Sequence, residues 1–367
     1  MSFEPNWVSP PGATIERIMS AREIGHDELA DALGITRCQV ADLISGELRI
    51  HDELAKLISE SVGSSPRFWK TRDERFEREV KRVQNHDPLQ LTEWARKMPV
   101  KSLREFGILK KGTKHEAVAL DLLKFFNCKN FAEWNARFQA GTGDVLFRSS
   151  SAFQADSMST LVWKRMGEIQ YEAMNLPPYN PDMFKALLPK LRKITVNKSP
   201  ETIILRLQSL CREVGVAVTS GRAPEGCRAS GAAWWTDTGN PVIHLSFRHL
   251  TNDHFWFTFF HECGHVLLHQ GDFLDLDRKG SPEGNDRLEN EANQFASETL
   301  IPDDAWRELS DIALTAKKVI SLARGFDISP GILVGQLEKR EMVSHRKLSF
   351  LKHRYVWGSN PFIPGLK

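Results

Sequence analysis

The sequence predicts an α+β fold, mostly helical, in which an N-terminal helix-turn-helix bundle precedes a domain holding a small β-sheet. Three observations carry this. Apolar residues recur at spacings of three and four through most of the chain, the period of an amphipathic helix. Only three short apolar segments, all between residues 216 and 245, alternate or run as strands do. Long helical stretches lie on both sides of them, so the strands have helices to pack against.

Taken in order, residues 14–82 read as short helices, with turns at Gly25, Leu33-Gly34 and Gly46. Residues 85–113 are rich in Pro and Lys (HDPLQ, RKMPVK, LKKGTK), which suits a connector with at most brief helices. Helices are predicted over 117–126, 131–138, 155–174 and 181–191, broken at YEAMNLPPYNP because successive prolines cannot continue a helix. A further amphipathic helix covers 201–214. Strands follow at 216–218, 232–235 and 242–245, separated by GRAPEGCRASG and TDTGNP. Helices are then expected at 253–269 and at 286–300, the latter stopped by Pro302, and the remainder is read as helical to about Tyr355. The expected domains are 1–82, a linker and helical region over 83–195, and 196–367.

The chain has 367 residues, and about 150 residues per domain predicts two or three domains. With 41% hydrophobic and 26% charged residues it is not a disordered chain. A balance of 49 Lys+Arg against 47 Asp+Glu leaves no global basic field to impose nucleic-acid binding. MSFEPNWVSPPGA lacks a secretory pattern, and no apolar run approaches the roughly 18 residues of a membrane span. Five scattered cysteines without a CxxC argue against a disulfide framework and a cysteine-built metal site. The expectation is a cytoplasmic protein with no membrane partner.

The chemistry gathers at Phe259-Phe260-His261-Glu262-Cys263-Gly264-His265. Histidines at i and i+4 lie on one helical face, so both imidazoles reach a single ion. Zinc suits the pair, because its filled d-shell leaves coordination open to water, and Glu262 is placed to take that water's proton. A catalytic zinc wants a third protein ligand, and the helix RLENEANQFASETLIP offers Glu289 and Glu291. At about 100° per residue, Glu289 falls about 20° from Ala296 on the inward face, whereas Glu291 turns to its far edge. Glu289 is therefore the expected third ligand. Asn293, one turn later, is placed to hold a ligating histidine, and Ala292 and Ala296 let two helices approach closely. His269 falls about 80° off the ligand face and reads as a helix-terminal residue. Cys263 reads as buried filler, and Arg248 and His254 are either oxyanion stabilisers or packing and capping residues.

HECGHVLLH followed by ENEANQFASETLIP resembles the ImmA/IrrE family of zinc metallopeptidase domains, over about 145–340. CRASGAAWW, VIHLSFRH and NDHFWFTFFHE are similar to members fused to a helix-turn-helix. The resemblance implies a zincin-like domain, zinc held by His261, His265 and Glu289, and Glu262 as catalytic base. It also implies a role in stress response, toxin–antitoxin control or phage defence, in a family where some members cleave or displace a repressor.

At the other end, HDELADALG is a helix stopped by Gly34, Ile35-Thr36 forms the turn, and residues 37–45 form a second helix ending at Gly46. Val40, Leu43 and Ile44 face inward. Arg37 and Gln39 are suitable base readers, Thr36 at the helix start meets a phosphate, and Arg49 touches backbone. The segment, including VGSSPRFWK, resembles the XRE-type domain of HigA-like antitoxins, which implies a homodimer on a palindromic operator. Against this, residues 1–82 hold 12 Lys+Arg and 15 Asp+Glu, a net −3, where phosphate binding wants local positive charge. The basic connector residues Arg96, Lys97, Lys101, Lys110, Lys111 and Lys114 supplement phosphate contacts or are simply solvated.

Three readings share these ligands and this base. The first is a DNA-binding regulator whose zinc metallo-endopeptidase domain cleaves a protein partner. The second is a non-enzymatic antitoxin or repressor whose zinc domain binds a partner or senses a signal. The third is a toxic component restrained by a small partner. For the first, a substrate strand is expected to add beside residues 229–235 or 242–246.

Overall fold

The computed structural model describes residues 10–22, 24–84, 88–110, 115–140, 153–269, 271, 273–276, 286–310 and 313–367. It divides into two compact units, Met1–Trp94 with Lys114–Thr142, and Ala95–Thr113 with Gly143–Lys367. The fold is α+β and mostly helical, as the periodicities require.

The first unit opens with five helices: α1 Pro11–Arg22, α2 His26–Leu33, α3 Arg37–Ser45, α4 Asp52–Val62 and α5 Pro66–Gln84. Their inward stripes close on one core of Ile15, Met19, Leu29, Leu33, Val40, Leu43, Leu54, Ile58 and Trp69. The turn between α2 and α3 is set by Gly34 at φ +63°, whose N–H reaches the carbonyls of Ala30 and Asp31. Gly12 lets α1 lie against α3, because the backbone of Ile44 stands where a Cβ would be. The same unit holds α8 (His115–Phe125) and α9 (Phe131–Asn135), where Trp94, Phe126 and Trp134 pack with ring centroids 5.0 to 6.5 Å apart.

The connector 85–113 contains two helices, α6 Pro88–Lys97 and α7 Val100–Glu105; Lys111 and Lys114 lie outside the described residues. The expected middle region 83–195 is not one body. Part belongs to the first unit, while α10 (Phe153–Glu172) and α11 (Pro181–Lys193) belong to the second; α10 packs on its sheet, as does α12 (Pro200–Arg212) from the next expected domain. Trp163 on α10 shows why: it is fully buried, and its indole N–H donates to the Gly221 carbonyl at 2.8 Å.

The sheet of the second unit runs β1 (Ala217–Ser220), β3 (Pro241–Leu245), β2 (Ala229–Trp235), β4 (Phe273–Leu276). β1 pairs parallel with β3, and the other two pairings are antiparallel. This order corrects the expected docking edge. Residues 229–235 and 242–245 are flanked on both sides, and the outer strands are β1 and β4. β4 carries no long apolar signal of its own and escaped the pattern reading. On one face of the sheet lies α13 (Asn252–Leu268), packed on α14 (Asp286–Leu300); α10 covers the other face. Ile243 and Leu245 point into the α13 side with Phe259, Phe260 and Trp256, while Val242 joins Trp163 opposite, the period-2 alternation of a strand buried on both faces.

After α15 (Asp303–Ser310), α16 (Ala316–Gly325) and α17 (Pro330–Lys339) the helical reading fails. Residues 340–367 form turns and a two-stranded ribbon, β5 Tyr355–Val356 with β6 Gly365–Leu366. Lys352 from this segment sits between the buried carboxylates of Asp253 and Glu338 at 2.7 and 2.6 Å, fastening it to the start of α13. Among the described residues no helix is long and apolar enough to cross a membrane.

Candidate metal centre

α13 is a helix because its 17 residues lack an interior Pro and alternate apolar triplets with small or polar residues, so nearly all of it is buried. Its spacing places His261 and His265 one turn apart, 3% and 1% exposed. α14 crosses beside it. Gly264 makes room: a Cβ there would lie 3.2 Å from the Cα of Ala292, and Ala292 and Ala296 are themselves fully buried. The small-residue contact expected from the sequence thus brings Glu289 to the histidine pair.

His261 Nε2 and His265 Nε2 stand 3.0 Å apart, and Glu289 Oε2 and Oε1 lie 3.2 and 3.6 Å from them. Ligands about 2.0–2.1 Å from a tetrahedral zinc are separated by roughly 3.3 Å, so the donor atoms of the three side chains already stand at about that spacing. Among the described residues this is the one group of three or more metal-type side chains that converges.

Hydrogen bonding decides which ring nitrogens carry protons. His269 Nε2–H donates to Glu291 Oε2 at 3.0 Å, which leaves His269 Nδ1 as acceptor for His265 Nδ1–H, also at 3.0 Å. His261 Nδ1–H donates to Asn293 Oδ1 at 3.2 Å. Both Nε2 lone pairs therefore face each other and the Glu289 carboxylate. Three electron-rich atoms at this spacing repel one another unless a cation lies between them, so the donor set fits zinc. Burial depresses His265, reinforced by its histidine neighbours and opposed by Glu289.

Glu262 is wholly buried against β2. A Cβ on Gly231 would overlap its carboxylate and the methyl of Thr258, so Gly231 supplies the space the acid fills. Cys263 is buried, and burial raises its thiol well above the ordinary range, in keeping with inert filler. Arg248 and His254 line a groove at the start of α13 with Ser230 and Thr258.

Asn293 stands where the helical spacing placed it. His269 is the helix-terminal residue its position indicated, and its ring also supports His265. The helix ends at Leu268, and His269 takes extended backbone (φ −126°, ψ 155°), so the 80° offset of a continuing helix does not apply. Glu291, set aside as a ligand, anchors His269 and accepts from Arg287 Nε at 2.7 Å. Phe273 on β4 stacks on His265, with centroids 4.2 Å apart and planes 11° apart. The second HxxxH step, His265 to His269, was the available signal for this relay.

In the first unit Thr36 and Gln39 cap each other reciprocally at the start of α3, through bonds of 2.9 and 3.2 Å. Arg37 makes an exposed pair with Asp27 at 3.4 Å. Arg49, expected to touch a nucleic-acid backbone, instead reaches Asp73 and Glu77 at 2.7 and 2.9 Å.

Residues 226–337 match the family model described as the IrrE N-terminal-like domain, Peptidase_M78. The matched stretch contains His261, Glu262, His265, Glu289 and Asn293, and it supports a metallopeptidase-like domain in this part of the chain. No curated protein matches the chain.

Proposed function

We propose that the second unit is a zinc-dependent endopeptidase acting on a protein partner, and that the first unit directs it as a DNA-binding or partner-binding module. The observation that carries the peptidase reading is the paired orientation of the His261 and His265 Nε2 atoms toward Glu289, each fixed from behind by a hydrogen bond. His261, His265 and Glu289 hold the metal. Bound zinc supplies Lewis acidity, polarising a peptide carbonyl and lowering the pKa of water. The Glu262 carboxylate takes the proton of the attacking water and returns it to the leaving amine. Asn293 and His269 keep the two imidazoles in the tautomer that leaves Nε2 open. β4, outermost in the sheet and stacked on His265 through Phe273, is the strand beside which an extended substrate would lie.

Metal content and proteolysis test this separately. Protein purified without added metal is expected to hold one zinc per chain, lost in His265→Ala. Glu262→Gln is expected to keep the zinc and lose the cellular effect, because an amide accepts no proton. A Glu262→Gln variant as active as the parent would leave a partner-binding role for the zinc domain.

For the first unit, α3 carries Thr36, Arg37 and Gln39 as the operator-facing residues of a homodimer. The net −3 of residues 1–82 and the Arg49 pairs favour a protein partner as the second reading. A gel shift against the protein's own promoter at low salt separates them: retardation that weakens in Arg37→Ala supports operator binding, and none supports a protein partner.

A further inference from the structure

On the face of α13 that carries the metal ligands, a narrow groove opens toward the start of the helix. Residues 254, 258, 261 and 265 follow one another in steps of four, three and four, so they form a single stripe. A rise of 1.5 Å per residue puts His254 about 10 Å from His261 along that stripe. We propose that this groove is a carboxylate-binding subsite, which takes an acidic residue about three positions from the scissile bond of an extended substrate. The inference rests on the peptidase reading above.

The groove's polar lining has one character. Arg248 brings a guanidinium, His249 and His254 bring imidazoles, and Ser230 and Thr258 bring hydroxyls; among the described residues no Asp or Glu lines it. The Arg248 guanidinium donates to the Arg228 carbonyl, which anchors it beside the groove. His249 and His254 stack with centroids 4.2 Å apart and planes 29° apart, so both imidazoles lie together at the groove. Ser230 is placed by a bulge: the β2–β4 register shifts between Ala229 and Gly231, and such a shift re-aims the side chain it contains. Its neighbour Gly231 is packed on Glu262 and on Thr258, a residue of the groove. A chain extended at about 3.3 Å per residue covers the 10 Å in three residues, and its carboxylate then meets Arg248 and the imidazole pair. The same chemistry is offered by an Asp or Glu side chain and by a C-terminal carboxylate.

The test uses the zinc-loaded full chain and peptide hydroxamates, whose hydroxamate seats on the metal while the peptide leaves it in either direction. Calorimetry compares probes bearing Asp, Asn or a terminal carboxylate at the third residue. In one direction the Asp probe is expected to bind about tenfold more tightly than the Asn probe, a gap that closes when Arg248→Gln and His254→Gln are combined. A terminal-carboxylate probe tighter than the Asp probe assigns the subsite to chain ends. Equal affinity for Asp and Asn in both directions, with both bound, overturns the subsite and leaves the metal reading standing. Failure of every hydroxamate to bind overturns the metal reading, and the subsite with it.

Discussion

The proton on His265 Nδ1 is governed by a residue that lies just past the end of its own helix. His269 accepts it, is itself held by Glu291, and is 8% exposed, so water does not readily replace it. His269→Ala should therefore weaken zinc binding by about 10- to 100-fold while leaving the helix content unchanged. Competition with a chelating dye measures the first and circular dichroism the second; unchanged affinity would reduce His269 to packing. The convergence of His261, His265 and Glu289, with Asn293 behind them, was legible in the sequence because it follows from the spacing within two unbroken helices and from the small residues between them. His269 was not, because its ring direction depends on where α13 stops, and a one-residue difference in a helix end turns an outward side chain inward.

The approach of α13 to α14 is set by Gly264 lying on Ala292. Gly264→Leu should push the helices apart, at a cost of about 1–3 kcal/mol in urea unfolding, and should lower zinc affinity as well, since Glu289 travels with α14. Retained affinity would show that the ligands follow some other contact. In the bundle of the first unit, Arg49→Ala leaves the buried Asp73 carboxylate without that partner and should destabilise that unit by about 1 kcal/mol. The sheet was only partly readable. β1 to β3 are apolar enough to declare themselves, but β4 is four residues long, and local sequence does not encode which strands become neighbours. The expected docking edge failed for that reason.

At the scale of the molecule, acid acts on the second unit through His244. It is fully buried, bonded to Thr219 Oγ1 at 2.8 Å and packed on Trp163, and burial lowers its pKa from 6.5 to about 3. The folded chain keeps this imidazole neutral while the unfolded chain protonates it from about pH 6.5 downward. Stability contributed by neutral His244 is thus whole above pH 6.5 and declines as the pH falls toward 3. Urea unfolding at pH 7 and pH 4.5 should show the loss, and His244→Gln should flatten the dependence; an equal slope in both proteins would acquit the histidine. The division of the middle region between two units was also hidden, because Trp163 reads as an ordinary apolar helix residue until the sheet beneath it is known. Strand order also fixes a schedule for synthesis. β2 and β3 are joined by a short turn at Gly239 and can pair as soon as they emerge from the ribosome, whereas β1 waits for β3, and β4 emerges last to join β2. Glu289 emerges later still, 24 residues after His265, so a nascent chain presents two unpaired imidazoles before the carboxylate that completes the trio. Zinc capture is then one of the last events in building this protein, and a chain truncated before α14 would leave its histidines competing for metal without the third ligand.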